Sequence, residues 1–381
     1  MYQPQPATTL RLARPLKRSV LAMGVETKNA IALGRSREIT LFPMVGDLAD
    51  PDTRMRLERG ARALLDGEFP PEVIAVDLHP DMYPTVFGRQ LARERGLPVI
   101  EIQHHSAHAA ACMAEHGLQE GLALSLDGMG WGTDGTLWGA ELLQMTPGRS
   151  LRLGTFAPVP LPGGDAAVRH PDRQLVARWL DAGVAISDGW RQRHGLTPGA
   201  ITIWTEQWRR RLNAPMSHAA GRLFDAFAAL LGIAPGTIGH EGEPAMLLEA
   251  EARRFHGILS HEHRLPYALG YHDGVLLVDW AETFRQFPPE KCLTPEEVTL
   301  WAYAFHLAVA SAIQEMVQYA HQLTGLHAVA LSGGVFMNGL LKDHLIVSLE
   351  HQGFQVFCHR QIPVGDGSVA VGQAWMIGEK E

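Results

Sequence analysis

Pro98-Val99-Ile100-Glu101-Ile102-Gln103-His104-His105-Ser106-Ala107-His108-Ala109-Ala110-Ala111 reads as a short apolar strand running straight into an alanine-rich helix. On that helix His104 and His108 are i and i+4, so their Cβ atoms lie about 5–6 Å apart on one face. Neutral imidazoles at that spacing can hold one borderline cation together, although two ligands alone do not make a tight site. Immediately upstream, Val73–Asp77 reads as a buried strand and Thr85–Arg95 as a helix. Before them, Lys17–Gly24, Asn29–Leu33 and Glu38–Pro43 read as an antiparallel meander, with Gly34 and Arg35 in a turn. A helix then runs to Leu65, capped by Asp50 with Pro51 at its first position, or alternatively by Asp52. The order is three antiparallel strands followed by helix, strand, helix, strand and helix.

That order resembles a ribonuclease H-like lobe, the unit duplicated in the actin and sugar-kinase (ASKHA) superfamily. A second meander follows, with strands at Gly121–Leu126, Thr136–Leu143 and Leu151–Pro158 and a glycine-rich turn from Asp127 to Gly135. Residues 160–215 form an insertion rich in Arg and Trp, read as mixed helix and loop. Helices are expected at Met216–Leu231, Glu243–Phe255 and Pro295–Leu323, with a strand pair, Leu265–Leu269 and Val275–Val278, around Asp273-Gly274. His327–Leu331 is a strand, Val335–Leu349 a helix, Gln355–Cys358 the last clear strand and Ser368–Gly378 the last helix. The expected fold is therefore α/β, with two ribonuclease H-like lobes. A mobile lead-in covers 1–16, the first lobe 17–119, and the second lobe 120–381 with its insertion at about 160–215. The last helix is available to return to the first lobe.

A chain of 381 residues has room for two such lobes. Apolar residues make up 46% and charged residues 19%, and no apolar run approaches the length of a membrane span. Residues 1–18 lack the apolar core of a signal peptide, so a cytoplasmic protein is expected. The net charge of −8 argues against general nucleic-acid affinity. The three cysteines form no CxxC pair, which argues against a disulfide framework and a cysteine zinc site.

Oxygen ligands to accompany the histidines are available in Asp127, at a strand end, and Asp366, in Val364-Gly365-Asp366-Gly367-Ser368 before a helix. Two nitrogens and two oxygens suit Zn²⁺, Fe²⁺ or Mn²⁺ better than Mg²⁺ or Ca²⁺. Taken singly, each has a blander reading: a solvated helix face, or an ordinary Asp-Gly turn. Ser332-Gly333-Gly334-Val335-Phe336-Met337-Asn338 is strand, glycine turn and helix, where backbone N–H groups can receive a phosphate. Asp225, one turn after Gly221, can meet ribose hydroxyls or simply face solvent. Gly242, in His240-Glu241-Gly242-Glu243-Pro244, opens a helix. Lys28 and Arg169 are cations that can meet a phosphate or carbonyl, or can be solvated surface charges.

Seven motifs occur in one order. They are His-His-x-Ala-His at 104–108, Leu-Asp-Gly-x-Gly-x-Gly-x-Asp-Gly-Thr-x-Trp-Gly at 126–139 and Pro-Leu-Pro-Gly-Gly-Asp-Ala-Ala at 160–167, then Gly-Arg-Leu-Phe-Asp-Ala at 221–226, Glu-Gly-Glu at 241–243, Ser-Gly-Gly-Val-Phe-Met-Asn at 332–338 and Val-Gly-Asp-Gly at 364–367. Together they resemble the HypF-type carbamoyltransferases that mature nickel–iron hydrogenases, in their C-terminal domain, which is similar to the tRNA threonylcarbamoyl transferases. The resemblance runs from about Ser19 to Met376. It implies one divalent metal, Zn or Fe, on His104, His108, Asp127 and Asp366. It implies nucleotide contacts from Asp127, Gly128, Met129, Gly130, Trp131, Asp225, Gly242, Gly333, Gly334 and Asn338, and catalytic roles for Asp127, Lys28 and Arg169. The implied ligand is carbamoyl adenylate, derived from ATP with AMP as leaving group. Its carbamoyl group passes to the C-terminal cysteine of a HypE-type partner, on the way to the cyanide ligands of iron.

The sequence departs from the family pattern at Ser106, where His is frequent, and at Val168-Arg169-His170-Pro171-Asp172-Arg173, where Arg-Glu-Pro-Trp-Arg is typical. Family members begin with acylphosphatase-like, zinc-finger and YrdC-like domains that this sequence lacks. A natural short form and an excised domain both stay open, Met1 favouring the first. How carbamoyl adenylate is then supplied stays open, a separate YrdC-like protein being one source. Small-molecule O-carbamoylation and a non-catalytic nucleotide- or partner-binding scaffold are the alternatives. A tRNA-modifying role is disfavoured by the charge.

Overall fold

The computed structural model describes residues 5–146 and 148–378. The first part of the chain supplies β1 (Thr8–Arg11), β2 (Val20–Ala22), β3 (Ala32–Arg35), β4 (Glu38–Leu41), α1 (Pro51–Leu65), β5 (Val73–Asp77), α2 (Tyr83–Arg95), β6 (Val99–Ile102) and α3 (His104–His116). Next come β7 (Gly121–Trp131), β8 (Leu137–Thr146), β9 (Arg149–Phe156) and β10 (Val159–Pro160). Helices α4 (Asp165–Arg169), α5 (Pro171–Asp181), α6 (Asp188–Arg193) and α7 (Pro198–Arg210) lead to β11 (Met216–Ser217), α8 (Ala220–Leu230) and α9 (Glu243–Ala252). The remainder holds β12 (Ala268–His272), β13 (Val275–Asp279), α10 (Ala281–Arg285), α11 (Pro295–Thr324), β14 (Ala328–Ser332), α12 (Gly339–His351), β15 (Gln355–Cys358) and α13 (Val369–Gly378).

Two sheets repeat one topology. The first orders as β1-β4-β3-β2-β5-β6 and the second as β12-β13-β9-β8-β7-β14-β15. In each, a three-strand meander is extended from its first strand by two parallel strands. This is the ribonuclease H-like pattern expected twice from the strand and helix order. Strand alternation assigns the faces. Val20 and Ala22 of β2 turn inward to a core between the sheets, while Leu21 turns to an outer core under α1 and α2. On β7, Leu122, Leu124 and Leu126 face α8 and α11, and Ala123 faces the middle layer.

That middle layer is α3 packed against α13. Val369-Ala370-Val371-Gly372-Gln373-Ala374-Trp375-Met376-Ile377-Gly378 carries no charge and is buried all round. Such a segment is stable as a helix only when surrounded by protein, and each fully buried aliphatic side chain contributes roughly 1.5–3 kcal/mol. The two helices approach through Gly372, where a Cβ would lie 1.8 Å from the Ala107 carbonyl oxygen. Gln373 ties α13 to the first sheet, accepting from the Gly24 N–H at 3.0 Å.

Several local expectations change. Thr8–Arg11, expected within a mobile lead-in, pairs with β4 as an edge strand. Met216–Ser217, expected helical, bridges β10 and β8 instead. The helix expected from Val335 splits into a 3-10 turn, Gly334–Met337, and α12, because the Asn338 side chain accepts from Leu341 N–H and restarts the helix. The glycine-rich stretch after Leu126 is no turn: β7 continues to Trp131 through a register shift, and the reversal comes at residues 132–136.

Candidate metal centre

Helix α3 starts where it does because the Gln103 side chain caps it, accepting from Ser106 N–H at 2.8 Å. The start places His104 and His108 on one face, their rings 4.8 Å apart and steeply inclined. Asp127 comes from β7 and Asp366 from the turn before α13. One donor atom from each of the four residues lies within 4.8 Å of the others. His104 Nε2 is 3.2 Å and His108 Nε2 3.3 Å from Asp127 Oδ2, and Asp366 Oδ1 is 3.5 Å from His108 Nε2.

The imidazoles and carboxylates of the cluster hold one another in their charged forms. Burial opposes the charged form of His104, but Asp127, Asp77 and Asp366 outweigh it and hold its pKa well above the ordinary imidazole value. His108 is raised the same way, against its burial, by Asp127 and Asp366. Asp127 is held well below the usual carboxylate range, and Asp366 is lowered, each in spite of burial and through the imidazoles. Both ring nitrogens of His108 are buried without a hydrogen bond among the described residues, and buried nitrogens are rarely left so. Imidazole nitrogens converging with carboxylate oxygens fit one divalent cation of the Zn²⁺ or Fe²⁺ kind.

Two supporting residues escape sequence reading. Asp77, fully buried at the end of β5, lies 3.0 Å from His104 Nδ1 and so fixes Nε2 as the inward nitrogen. The Thr27 hydroxyl donates to Asp366 Oδ2. A strand-end Asp in the first lobe and a polar residue beside Lys28 were the only signals, and neither specifies a partner. His105 belongs elsewhere: its Nδ1 meets Gln103 Nε2 at 2.9 Å, and burial pushes its pKa well below the ordinary value.

The other expected site residues fall into groups. Gly333 takes φ 98°, where a Cβ would lie 2.3 Å from the Leu126 carbonyl oxygen, and the Gly334 N–H donates to Asp127 Oδ1 at 3.2 Å. Gly130 lets β7 pass close to α3, since a Cβ there would meet His105 Cε1 at 2.6 Å. Gly128 faces Glu241, whose carboxylate oxygen lies 2.5 Å from where its Cβ would stand. Met129 and Trp131 pack on Leu137 and Leu161. Asp225 is not solvent-facing: it is buried, 3.0 Å from Arg222 Nη2, and accepts from Gln174 Nε2 at 3.3 Å. Gly242 caps α9 in the left-handed region. Lys28 is exposed next to Thr27, also left-handed at φ 47°. Arg169 is exposed at the end of α4, outside the four-residue cluster.

Asn338 is engaged within the fold, its Nδ2 lying 2.9 Å from His306 Nε2 while Oδ1 caps α12. Burial pushes the His306 pKa down to about 4. The unfolded chain, near 6.5, therefore takes up this proton first as pH falls. Stability from this group is complete above 6.5 and is lost between 6.5 and 4, by roughly 3 kcal/mol. Denaturant titrations across that range should show a shallower acid loss in His306→Gln than in the native protein; equal slopes would reject the assignment.

Comparison with known proteins agrees with this architecture. The family described as carbamoyltransferase, Kae1-like domain, second subdomain, matches residues 123–373, and the HypF Kae1-like domain matches residues 15–115. A carbamoyltransferase HypF homolog of Cupriavidus necator is 38% identical over 368 residues, covering 95% of this chain and 92% of that protein. Carbamoyltransferase HypF of Synechocystis sp. is 33% identical over 393 residues, covering 98% of this chain and 48% of its own length. The crystal structure of full-length HypF in its phosphate- and nucleotide-bound form superposes with a TM-score of 0.86 at 29% identity, covering 99% of this chain and 48% of that one. The chain thus spans nearly all of one relative and about half of the longer ones. With both family patterns matched in order across the two lobes, the chain belongs to the HypF carbamoyltransferase family.

Proposed function

We propose that this chain transfers the carbamoyl group of carbamoyl adenylate to the C-terminal cysteine of a HypE-type partner, a step toward the cyanide ligands of nickel–iron hydrogenase. The observation that carries this reading is the convergence of His104, His108, Asp127 and Asp366 against the Gly333-Gly334 turn. Relatives named as carbamoyltransferases, and a full-length HypF described as phosphate- and nucleotide-bound, support it.

The chemistry asks this protein to bind and orient. The partner's thiolate attacks the carbamoyl carbon; a C–S bond forms, the C–O bond to phosphate breaks, and AMP leaves with the electron pair. A divalent metal held by His104, His108, Asp127 and Asp366 would act as Lewis acid and clamp for the phosphate. Asp77 keeps a proton on His104 Nδ1, and Thr27 orients Asp366. Lys28, and from the insertion Arg169, supply positive charge toward the phosphate or carbamoyl oxygen. Gly128 to Trp131, Asp225, Gly242, the Gly333-Gly334 turn and Asn338 frame the nucleotide. A YrdC-like activity supplies the adenylate, and the setting is the cytoplasm. No helix among the described residues is long and apolar enough to cross a membrane.

Incubation with enzymatically supplied carbamoyl adenylate and a HypE-type protein tests the reading. A mass gain of one carbamoyl group on the partner's terminal cysteine is expected. Nucleotide binding without transfer would make the chain a scaffold, and transfer to a small hydroxyl compound alone would make it an O-carbamoyltransferase.

A further inference from the structure

A second polar array lies behind the four ligands, at the other end of α3. Glu115 and His359 are both buried, with side chains 1% exposed, and Glu115 Oε2 is 3.0 Å from His359 Nδ1. His359 Nε2 is 2.9 Å from the Ser332 hydroxyl. Glu115 also accepts the backbone N–H of Arg360 at 2.7 Å and that of Gln361. Burial keeps the His359 imidazole below its ordinary pKa, while His359 and the two backbone N–H groups hold Glu115 low against its own burial. The chain of bonds therefore runs one way: Ser332 O–H donates to a neutral imidazole, and its Nδ1–H donates to an ionised carboxylate. The order is that of a nucleophilic triad, but Ser332 is completely buried, so no substrate reaches it.

What the array joins is informative. Glu115 stands seven residues after His108 on α3, about 10 Å along the helix. Ser332 ends β14 two residues before Gly334, whose N–H holds Asp127. The residues clamped by Glu115, 359–361, begin the segment that reaches Asp366 five residues later. Gly333 N–H, between these two arms, donates to Val364 O at 3.2 Å. Flanking contacts reinforce the seam, with the Cys112 thiol donating to the Phe357 carbonyl and His116 Nε2 at 2.7 Å from the Cys358 carbonyl. Helix α3, the strand end that leads into the Gly333-Gly334 turn and the segment that leads to Asp366 are thus tied to one buried carboxylate.

We propose that Glu115, His359 and Ser332 are positioning residues that set the spacing of the metal-ligating cluster by locking α3, the Gly333-Gly334 turn and the Asp366 segment to one another. This rests on the metal reading above. A hydrogen bond made directly to a ligand is worth roughly 10- to 100-fold in metal affinity; this array acts one step further out, so a loss nearer the lower bound is expected. Glu115→Gln offers an internal rescue. Its amide oxygen still accepts the two backbone N–H groups, its NH₂ donates to His359 Nδ1, and the imidazole, in its other tautomer, donates from Nε2 to Ser332.

The test is competitive titration of Zn²⁺ against a chromophoric chelator, using the full chain, with circular dichroism and melting of the metal-free protein alongside. Ser332→Ala and Glu115→Ala should bind one Zn²⁺ with affinity weakened by about 10-fold, the lower bound for groups that touch a ligand directly, while Glu115→Gln stays within about two-fold of the native value. Ser332→Ala loses a single oxygen and remains informative should Glu115→Ala fail to fold. Native affinity in Ser332→Ala, with only the melting temperature lowered, would overturn the proposal and leave the metal site standing. Absence of Zn²⁺ binding by the native protein would instead overturn the metal site, and this proposal with it.

Discussion

Replacing His104 and His108 together with alanine is expected to reduce bound metal to below about a tenth of the native content after dialysis against a limiting chelator. The change removes both nitrogen ligands, so the loss exceeds the roughly 10- to 100-fold that a supporting residue contributes, and on the order of 1000-fold in affinity is the reasonable expectation. A second effect follows from charge. In the metal-free protein the two imidazoles hold Asp127 and Asp366 ionised. Without them, two partly or fully buried carboxylates face each other, and removing one side of a buried pair costs about 3–5 kcal/mol. The double variant should therefore melt at a lower temperature even before metal is added. Elemental analysis is the decisive measurement: unchanged metal content would remove the site from His104 and His108.

Gly372→Ala should be the most damaging single methyl group in the chain's middle layer. Its Cβ would stand 1.8 Å from Ala107 O, 2.6 Å from Ala107 C and 2.9 Å from Ala111 N. All three are backbone atoms of a helix, which cannot rotate aside. The helices α3 and α13 must separate, and a loss of more than about 3 kcal/mol is expected, at the upper end of overpacking costs. Ala107 lies between His104 and His108, so metal affinity should fall in parallel. Gly60→Ala is the control: it lies inside α1 and a Cβ would meet only Ile31 Cδ1 at 3.4 Å. There alanine should be neutral or stabilising by up to about 1 kcal/mol. Equal effects at the two positions would contradict the packing described for α3 and α13.

The fold was legible because its signals are local. Val73–Asp77 and the alanine-rich helix after Gln103 announce themselves by composition, and the order of elements then repeats. Site residues divide by the same criterion. His104 and His108 are neighbours in sequence and suggest a metal on their own. Asp366 does not, since 239 residues separate it from Asp127, and only the order of the motifs joined it to the others. Asp77, Thr27 and Glu115 were illegible because each acts through tertiary hydrogen bonds to residues distant in sequence. The glycines after Asp127 misled for a physical reason. They were read as freedom to turn, whereas Gly128 and Gly130 serve an extended strand by leaving room for Glu241 and for the histidines. Asn338 also caps α12, a role that its motif did not show.

The packing of α13 between the sheets also sets a timetable. Gly24 and Gln373 bond across 349 residues, so the first sheet is synthesised long before the helix that covers its inner face. At the 5–20 residues per second of translation, that interval is roughly 17 to 70 s. Throughout it the nascent chain exposes the apolar side of β2, β3 and β5 that Val371, Trp375 and Ile377 later bury. Asp366 emerges in the same late stretch. Both the core and the His104, His108, Asp127 and Asp366 cluster are therefore completed only after residues 366–377 have left the ribosome.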